Sequence, residues 1–580
     1  MKGVVLSLTL CGAVLGSCGI DNKSGGSSLD MNMIPFESVH VDGELKDRIM
    51  KNFNRLEEEK YRPENVFLTE EQSGNWPGDT EGRTILGLVM DARSSNRTPK
   101  YLKEIIDRIP SELNDRGYMG PIYEGKMNEQ QLSGNGWMLR ALCEYYEWTN
   151  DTIVLGYIRS ISNNLFVAGR GYYSEYPIEP NTRDRNVGGE AGTTQVRGTD
   201  KWILSSDIGC LFIGMEGAIH AYKHLRTPQL KEVIDEMLAK LKEIDILKIN
   251  AQTHATLTAA RGLVRYSEIT DDKSYLEWAE NIYKMYKDHG MTEAHGNYNW
   301  FDRFDTWTEP CGIVDSYMLA VQLWMNTENP QYKEDAELIY YNALSHAQRN
   351  NGGFGTDNCP GTASHDDCLR PRSYEAHWCC TMRGGEGLGS AARYSAFTKG
   401  DTLYLPFLRE CVLDIEMVEN SPVRITEQTA YPFESAMKLT VDKNLFGKMT
   451  IKLPYMSWME NVNITCNGKK QELSANNGFY SLTSDFKDGD VIEMSFVMNQ
   501  RKESTLNKAN TSVDQYKVYY GPLLLGIENM GEEVNKSINN PSVLYEDSSK
   551  LTPVYHLMDE KIKNVSKDKS VYSKRILFSE

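Results

Sequence analysis

At 580 residues the chain exceeds what one ordinary core organises, so two large domains behind a short leader are expected. Its 40% hydrophobic and 25% charged content is that of a globular protein, not a disordered or membrane-embedded one. A net charge of −18, spread without long acidic runs, weighs against a nucleic-acid partner, which usually needs a basic face.

The N-terminus reads as an export signal. Lys2 supplies a positive start, Val4 to Leu15 is a short apolar run, and Leu15-Gly16-Ser17-Cys18 has the pattern cut before a lipid-modified cysteine. The apolar run is too short to anchor the chain by spanning a bilayer. Residues 1–17 are therefore expected to be a lipoprotein signal peptide, Cys18 the lipidation site, and residues 18–30, with Ser24-Gly25-Gly26-Ser27-Ser28, a lipid-anchored tether. That makes the protein an exported lipoprotein, in the outer membrane, which meets the membrane only through its lipid.

Residues 31–398 are expected to form one helical domain, dominated by helical periodicity from about 80 to 395. Gly136 to Trp148, Ile213 to Leu225, Ala255 to Ile269 and Asp315 to Met325 repeat apolar residues at i, i+3, i+4 and i+7. Threonine with Pro, Asn or Asp beside it punctuates these runs, at Thr98-Pro99, Thr149-Asn150-Asp151, Thr227-Pro228, Thr270-Asp271-Asp272 and Thr327-Glu328-Asn329-Pro330. Such residues stop one helix and cap the next. Repeated helical hairpins suggest a solenoid or a closed toroid, and the long insertion from Gly169 to Asp200 favours the toroid, whose loops line a central pocket. From 399 to 580 the texture becomes β-rich, with short runs such as Met437 to Val441, Met449 to Leu453, Val462 to Cys466 and Val491 to Phe496. Asn467-Gly468 and Asp488-Gly489 are turn signals between them, the pattern of an antiparallel sandwich. The fold class is thus α+β, a helical barrel followed by a β-sandwich.

Nine cysteines follow Cys18, an odd number that cannot all pair, and Cys359 with Cys368 is the best local bridge. Adjacent Cys379 and Cys380 are poor disulfide partners, because their Cα atoms lie ~3.8 Å apart against ~4.4–6.8 Å in a relaxed bridge. With Glu309 and Cys311 of Glu309-Pro310-Cys311 they make a four-ligand set suited to Zn²⁺. Spacing alone leaves open that they are buried apolar cysteines. Ten Trp, 32 Tyr and 16 Phe fit a protein that stacks sugar rings, although large cores use aromatics too.

Taken in order, Trp76-Pro77-Gly78-Asp79-Thr80-Glu81-Gly82-Arg83, Thr308-Glu309-Pro310-Cys311, His377-Trp378-Cys379-Cys380, Ile451-Lys452-Leu453-Pro454, Lys487-Asp488-Gly489-Asp490-Val491 and Tyr520-Gly521-Pro522-Leu523 resemble the β-L-arabinofuranosidase family, glycoside hydrolase family 127. The resemblance implies an (α/α)₆ barrel followed by β-sandwich modules. It implies a retaining glycosidase with zinc on Glu309, Cys311, Cys379 and Cys380, Cys379 as nucleophile, and Glu293, sixteen positions before Glu309, as acid/base. His377 and His254 match family histidines that hold sugar hydroxyls. The chain departs from the family at Gln130 to Trp137 and at Thr381-Met382-Arg383, where Arg383 would suit an unusual acidic pentofuranose or pair with a structural carboxylate.

The expected activity is exo-hydrolysis of a terminal β-L-arabinofuranose-type unit from plant cell-wall oligosaccharides of pectin or hemicellulose. A lipid-anchored glycan-binding protein with structural zinc is the alternative from another class. An unsaturated-uronide hydrolase or lyase on a similar toroid would not need the cysteine pair. The lipidation reading is checked by cell fractionation: Cys18→Ala should move the protein from the membrane to the soluble fraction, and an unchanged distribution refutes it.

Overall fold

The computed structural model describes residues 30–68, 76–179, 182, 199–361, 367–506, 508, 514–529, 551–555 and 573–579. The leader, Cys18 and the tether lie outside these residues, as does most of the Gly169 to Asp200 insertion. Twelve helices carry the first part: α1 Gly43–Leu56, α2 Asp79–Ser95, α3 Leu102–Glu112, α4 Glu129–Thr149, α5 Thr152–Ile161 and α6 Leu211–Leu225. They continue as α7 Pro228–Lys242, α8 Thr253–Thr270, α9 Lys273–His289, α10 Pro310–Thr327, α11 Pro330–Ile339 and α12 Cys380–Arg393. The helices α2, α4, α6, α8, α10 and α12 pack each against the next, and α12 closes the ring on α2. Their partners α3, α5, α7, α9, α11 and α1 form an outer layer. This is an (α/α)₆ barrel.

Burial explains which helix goes where. Outer helix α3 buries Leu102, Ile105, Ile106 and Ile109, one stripe at helical spacing. Inner helix α4 is buried on every side from Glu129 to Tyr145, polar residues included. The apolar periodicity is therefore cleaner outside than inside. The punctuation has a repeated structure. Asn150, Arg226, Asp271 and Glu328 end the inner helices in the left-handed conformation, and Asp151, Asp272 and Asn329 cap the outer ones, accepting from Ile153, Ser274 and Gln331 backbone N–H. The threonines Thr149, Thr270 and Thr327 bond back to the carbonyls of Tyr145, Tyr266 and Leu323 at 2.8, 2.7 and 2.7 Å.

The β region holds two main sheets. One orders Asn32–Met33, Phe397–Lys399, Thr402–Tyr404, Lys448–Pro454 and Phe479–Asp485. The other runs Lys469–Lys470, Glu460–Cys466, Asp490–Val497, Ala436–Asn444, Pro422–Thr429, Cys411–Glu416 and Val39–Val41. Alternate residues point inward, among them Leu413, Ile425, Leu439 and Ile492 from one sheet and Ile451, Leu453 and Phe479 from the other, and all belong to one apolar cluster. Two strands before α1 join these sheets, so the chain starts in the β region before entering the barrel. A third sheet, Gln500–Ser504, Gln515–Tyr520, Leu523–Asn529 and Ser573–Arg575, pairs with Cys368–Leu369 of the barrel. Cys359 is a free, buried thiol, so the bridge expected with Cys368 is not formed. Its sulfur turns inward towards Asn297 O, at 4.0 Å, while Cys368 pairs along a strand with Arg575. No described helix is long and apolar enough to cross a membrane.

The inner ring closes tightly because glycines face glycines. A methyl group on Gly136 of α4 would stand 2.6 Å from Gly214 Cα of α6, and one on Gly217 would stand 2.6 Å from Gly136 Cα. Gly217→Ala should therefore cost about 1–3 kcal/mol by overpacking, read as a lowered denaturant midpoint. An unchanged midpoint would show that α4 and α6 separate freely.

Candidate active site

The N-terminal ends of the inner helices converge on one cavity. Pro310 opens α10, a position that needs no N–H, with Glu309 before it and Cys311 behind it. Cys379 precedes α12 and Cys380 begins it. Asp79 starts α2 and His254 lies in the first turn of α8. Cys379 Sγ stands 3.2 Å from Cys380 Sγ, which stands 3.8 Å from Cys311 Sγ. His254 Nδ1 lies 3.4 Å from Glu309 Oε1. The structure thus assembles Glu309, Cys311, Cys379, Cys380 and His254 from three helices and three distant segments of sequence.

This donor set can hold a metal ion. Three sulfurs around a tetrahedral Zn²⁺ with Zn–S bonds of about 2.3 Å would lie about 3.8 Å apart. The Cys311–Cys380 pair already has that spacing, and the Cys379–Cys380 pair is closer. Glu309 Oε2 is buried and has no hydrogen-bond partner among the described residues, as expected of a carboxylate oxygen meant for a cation.

Electrostatics prepare one thiolate. Burial opposes ionisation of Cys311, but hydrogen bonds from Cys379 and Cys380 and the positive Arg83 outweigh it and hold this thiol well below its usual range. Arg83 Nη1 is 3.2 Å from Cys311 Sγ, and its Nε and Nη2 grip Asp79 at 2.7 and 3.0 Å. Cys380 is pushed up, chiefly by burial; Cys379 is pushed up chiefly by its hydrogen bond to Cys311.

The cavity, of about 310 Å³, is lined by Cys379, His377, His254, Glu309, Asp79 and Arg83, and on its far side by Asp207, Gln252 and Cys210. Of the three clustered cysteines only Cys379 reaches it. Trp76, Trp378 and Tyr61 flank it, and Trp378 is 56% exposed, a large ring offered to solvent at a pocket edge. Sequence reasoning missed Arg83, Asp79 and Asp207. The first two could have been found, since Asp79-x-x-x-Arg83 puts both on one face of α2.

Two expected site residues stand elsewhere. Glu293 is buried and pairs through Oε2 with Lys517 Nζ of the third sheet at 2.9 Å, outside the described cavity lining. Arg383 is fully buried on the barrel axis. It binds Asp315 Oδ1 at 2.7 Å and Glu386, and stacks over Trp137 at 4.7 Å. Burial lowers it to about 10, with Asp315 opposing. Arg261 shares Asp315 at 2.6 Å, Thr258 Oγ1 donates to its other oxygen at 2.7 Å, and Arg140 bridges Glu216 and Glu386 at 2.9 and 2.7 Å. Two further acid/base-type side chains, His295 and Glu386, are also engaged. His295 bonds Tyr519 Oη at 2.9 Å, and Glu386 belongs to the axial network.

A ring of paired helices with a thiol and carboxylate centre at its mouth belongs to the (α/α)₆ class of fold, which by itself fixes no activity. Residues 241–393 match the family model described as "Beta-L-arabinofuranosidase, GH127 catalytic domain", and residues 403–498 match "Beta-L-arabinofuranosidase, GH127 middle domain". Residues 241–393 and 403–498 thus carry the catalytic and middle domains of glycoside hydrolase family 127, and the chain is a glycoside hydrolase. Among solved structures it is similar to a GH127 β-arabinofuranosidase, at 15% identity and TM-score 0.67 over 95% of this chain and 98% of that one. It is also similar to a protein described as a glycoside hydrolase, at 12% identity and TM-score 0.69 over 96% and 98%. A third, a GH127 β-L-arabinofuranosidase from Geobacillus stearothermophilus T6, aligns at 13% identity and TM-score 0.65 over 93% and 100%. No curated protein matches the chain by sequence.

The placement of Arg383 makes a prediction that separates structure from substrate binding. Arg383→Met leaves Asp315 and Glu386 under-compensated in the core and should cost about 3–5 kcal/mol in denaturant unfolding. A raised KM with unchanged stability would instead return this arginine to the substrate.

Proposed function

We propose that the protein is an exo-acting retaining glycosidase that removes a terminal β-L-arabinofuranose-type unit from plant cell-wall glycans, the side chains of pectin or hemicellulose. The observation that carries this reading is that three clustered sulfurs meet a buried carboxylate while one of them, Cys379, lines a sugar-sized cavity. The solved relatives described as β-L-arabinofuranosidases support the sugar. Arg383, which suggested an acidic sugar, is engaged by Asp315 and Glu386 and lends that substrate no support.

Cys311, Cys379, Cys380 and Glu309 would hold Zn²⁺, which when bound keeps coordinated thiols ionised at neutral pH. The chain's own residues do the rest. His377 and His254 orient the sugar hydroxyls, and Trp378 and Trp76 stack on the ring or its neighbour. The Cys379 thiolate attacks the anomeric carbon, the bond to the leaving oxygen breaks, and that oxygen takes a proton from a general acid. Water, deprotonated by the same group, then releases the sugar from sulfur with overall retention.

The general acid is best sought in the lining. Glu293 pairs with Lys517 and stands outside that lining. Asp79 and Asp207 do line the cavity.

The test is incubation of the purified protein with arabinofuranosyl oligosaccharides. Free arabinose, zinc bound at the cysteine centre by elemental analysis, and loss of turnover in folded Cys379→Ser are the expected results. Full activity in metal-free protein, or in Cys379→Ser, refutes the chemistry. Glu293→Gln should be less impaired on natural glycosides than Asp79→Asn or Asp207→Asn. If Glu293→Gln is instead slow on natural glycosides, fast on aryl glycosides and accumulates a pentosyl adduct on Cys379, the acid/base is Glu293.

A further inference from the structure

A second set of metal-type donors lies at the opposite end of the barrel. Inner helices α4 and α6 each carry two of them four residues apart, Cys143 and Glu147 on α4, His220 and His224 on α6, so each pair shares a helix face. The donor atoms of Cys143, His220 and His224 all lie within 4.8 Å of one another. Glu147 Oε1 lies 3.0 Å from His220 Nε2 and 2.9 Å from His224 Nε2. The catalytic cavity touches Cys210 beside the start of α6. His220 is ten residues further on, roughly 15 Å along the helix axis, so the two centres are separate.

Hydrogen bonding by itself does not account for the cluster. Glu147 Oε1 is well supplied, with both rings and Lys223 Nζ at 2.9 Å. His220, 1% exposed, nevertheless keeps a buried Nδ1 with no hydrogen-bond partner among the described residues. An imidazole that gives one nitrogen to a carboxylate and leaves the other unused is the arrangement in which histidine ligates a metal. Cys143 is wholly buried beside it, while the Glu147 and His224 side chains are 16% and 14% exposed and provide an entrance.

We propose that Cys143, His220 and His224 form a second site for a borderline-soft divalent cation, Zn²⁺, that staples α4 to α6, with Glu147 orienting both imidazoles. One sulfur and two imidazole nitrogens supply three tetrahedral positions, and solvent at the partly exposed edge takes the fourth. On binding, Cys143 gives its thiol proton to solvent and sulfur takes the metal in its place. Arg265, Arg93 and Arg393 stand near, paired with Glu216 and Glu144, and Lys223 pairs with Glu147, so the Cys143 thiolate is the anion that the cation neutralises.

Crystals of the intact protein grown with zinc and measured at the zinc absorption edge test this. Two separate anomalous peaks are expected, one at Cys311, Cys379 and Cys380, the other between Cys143 and His224. His224→Ala, at the partly exposed edge of the cluster, should lower zinc content by about one ion per chain and reduce the zinc-dependent part of the Tm. A filled cysteine centre with no density between α4 and α6, or unchanged zinc content in His224→Ala, overturns the proposal. Density between α4 and α6 with an empty cysteine centre would uphold it while refuting the zinc-thiolate reading of the active site.

Discussion

Asp315 holds the barrel axis together. It receives Arg261 from α8, Arg383 from α12 and Thr258 from α8, and has His254 Nε2 at 3.3 Å. Three inner helices thus meet on one carboxylate that is fully buried. A carboxylate in such a place survives only because paired cations repay its desolvation, and removing any one partner leaves charge stranded in the core. Trp137 extends the same arrangement, with Arg83, Arg140 and Arg383 over its ring at 4.0, 4.1 and 4.7 Å and His254 stacked at 5.9 Å.

The catalytic mouth is built one helical turn above this network. Cys311 stands four residues before Asp315, Cys379 four before Arg383, and Asp79 four before Arg83. At 3.6 residues per turn each site residue sits directly over a network residue on the same helix face. The network therefore sets the rotation of each inner helix, and that rotation aims the sulfurs at one point. Helix polarity adds to the effect. Asp79, Glu309 and the three clustered cysteines lie at N-terminal ends, where the aligned backbone dipoles favour negative charge, and the histidine pair lies at the C-terminal end of α6.

The β region buttresses the barrel through specific polar ties. Lys333 of α11 donates to Tyr455 O at 3.1 Å and to Gly478 O at 2.5 Å, and Arg409 grips Glu337 at 2.7 Å. The third sheet clamps the loop before α10 through Lys517 and Tyr519. That loop carries Glu293 and His295, so the sheet controls what these two residues can reach.

The helical hairpins, their threonine-led turns, the Asn467-Gly468 hairpin and the sandwich strands were all legible in the chain, because each rests on local spacing and on residues within a few positions of each other. The vicinal cysteines and Glu309-Pro310-Cys311 were legible as ligand types for the same reason. What needed the folded structure was every pairing between distant segments. The sequence could not say that Arg383 meets Asp315, that Lys517 meets Glu293, or that Cys379 rather than Cys380 faces the cavity. Nor could it show Cys143 and His220 side by side. A side chain's type is written in the sequence, but its partner across the barrel is decided by helix rotation and ring closure, which depend on the packing of the whole chain at once.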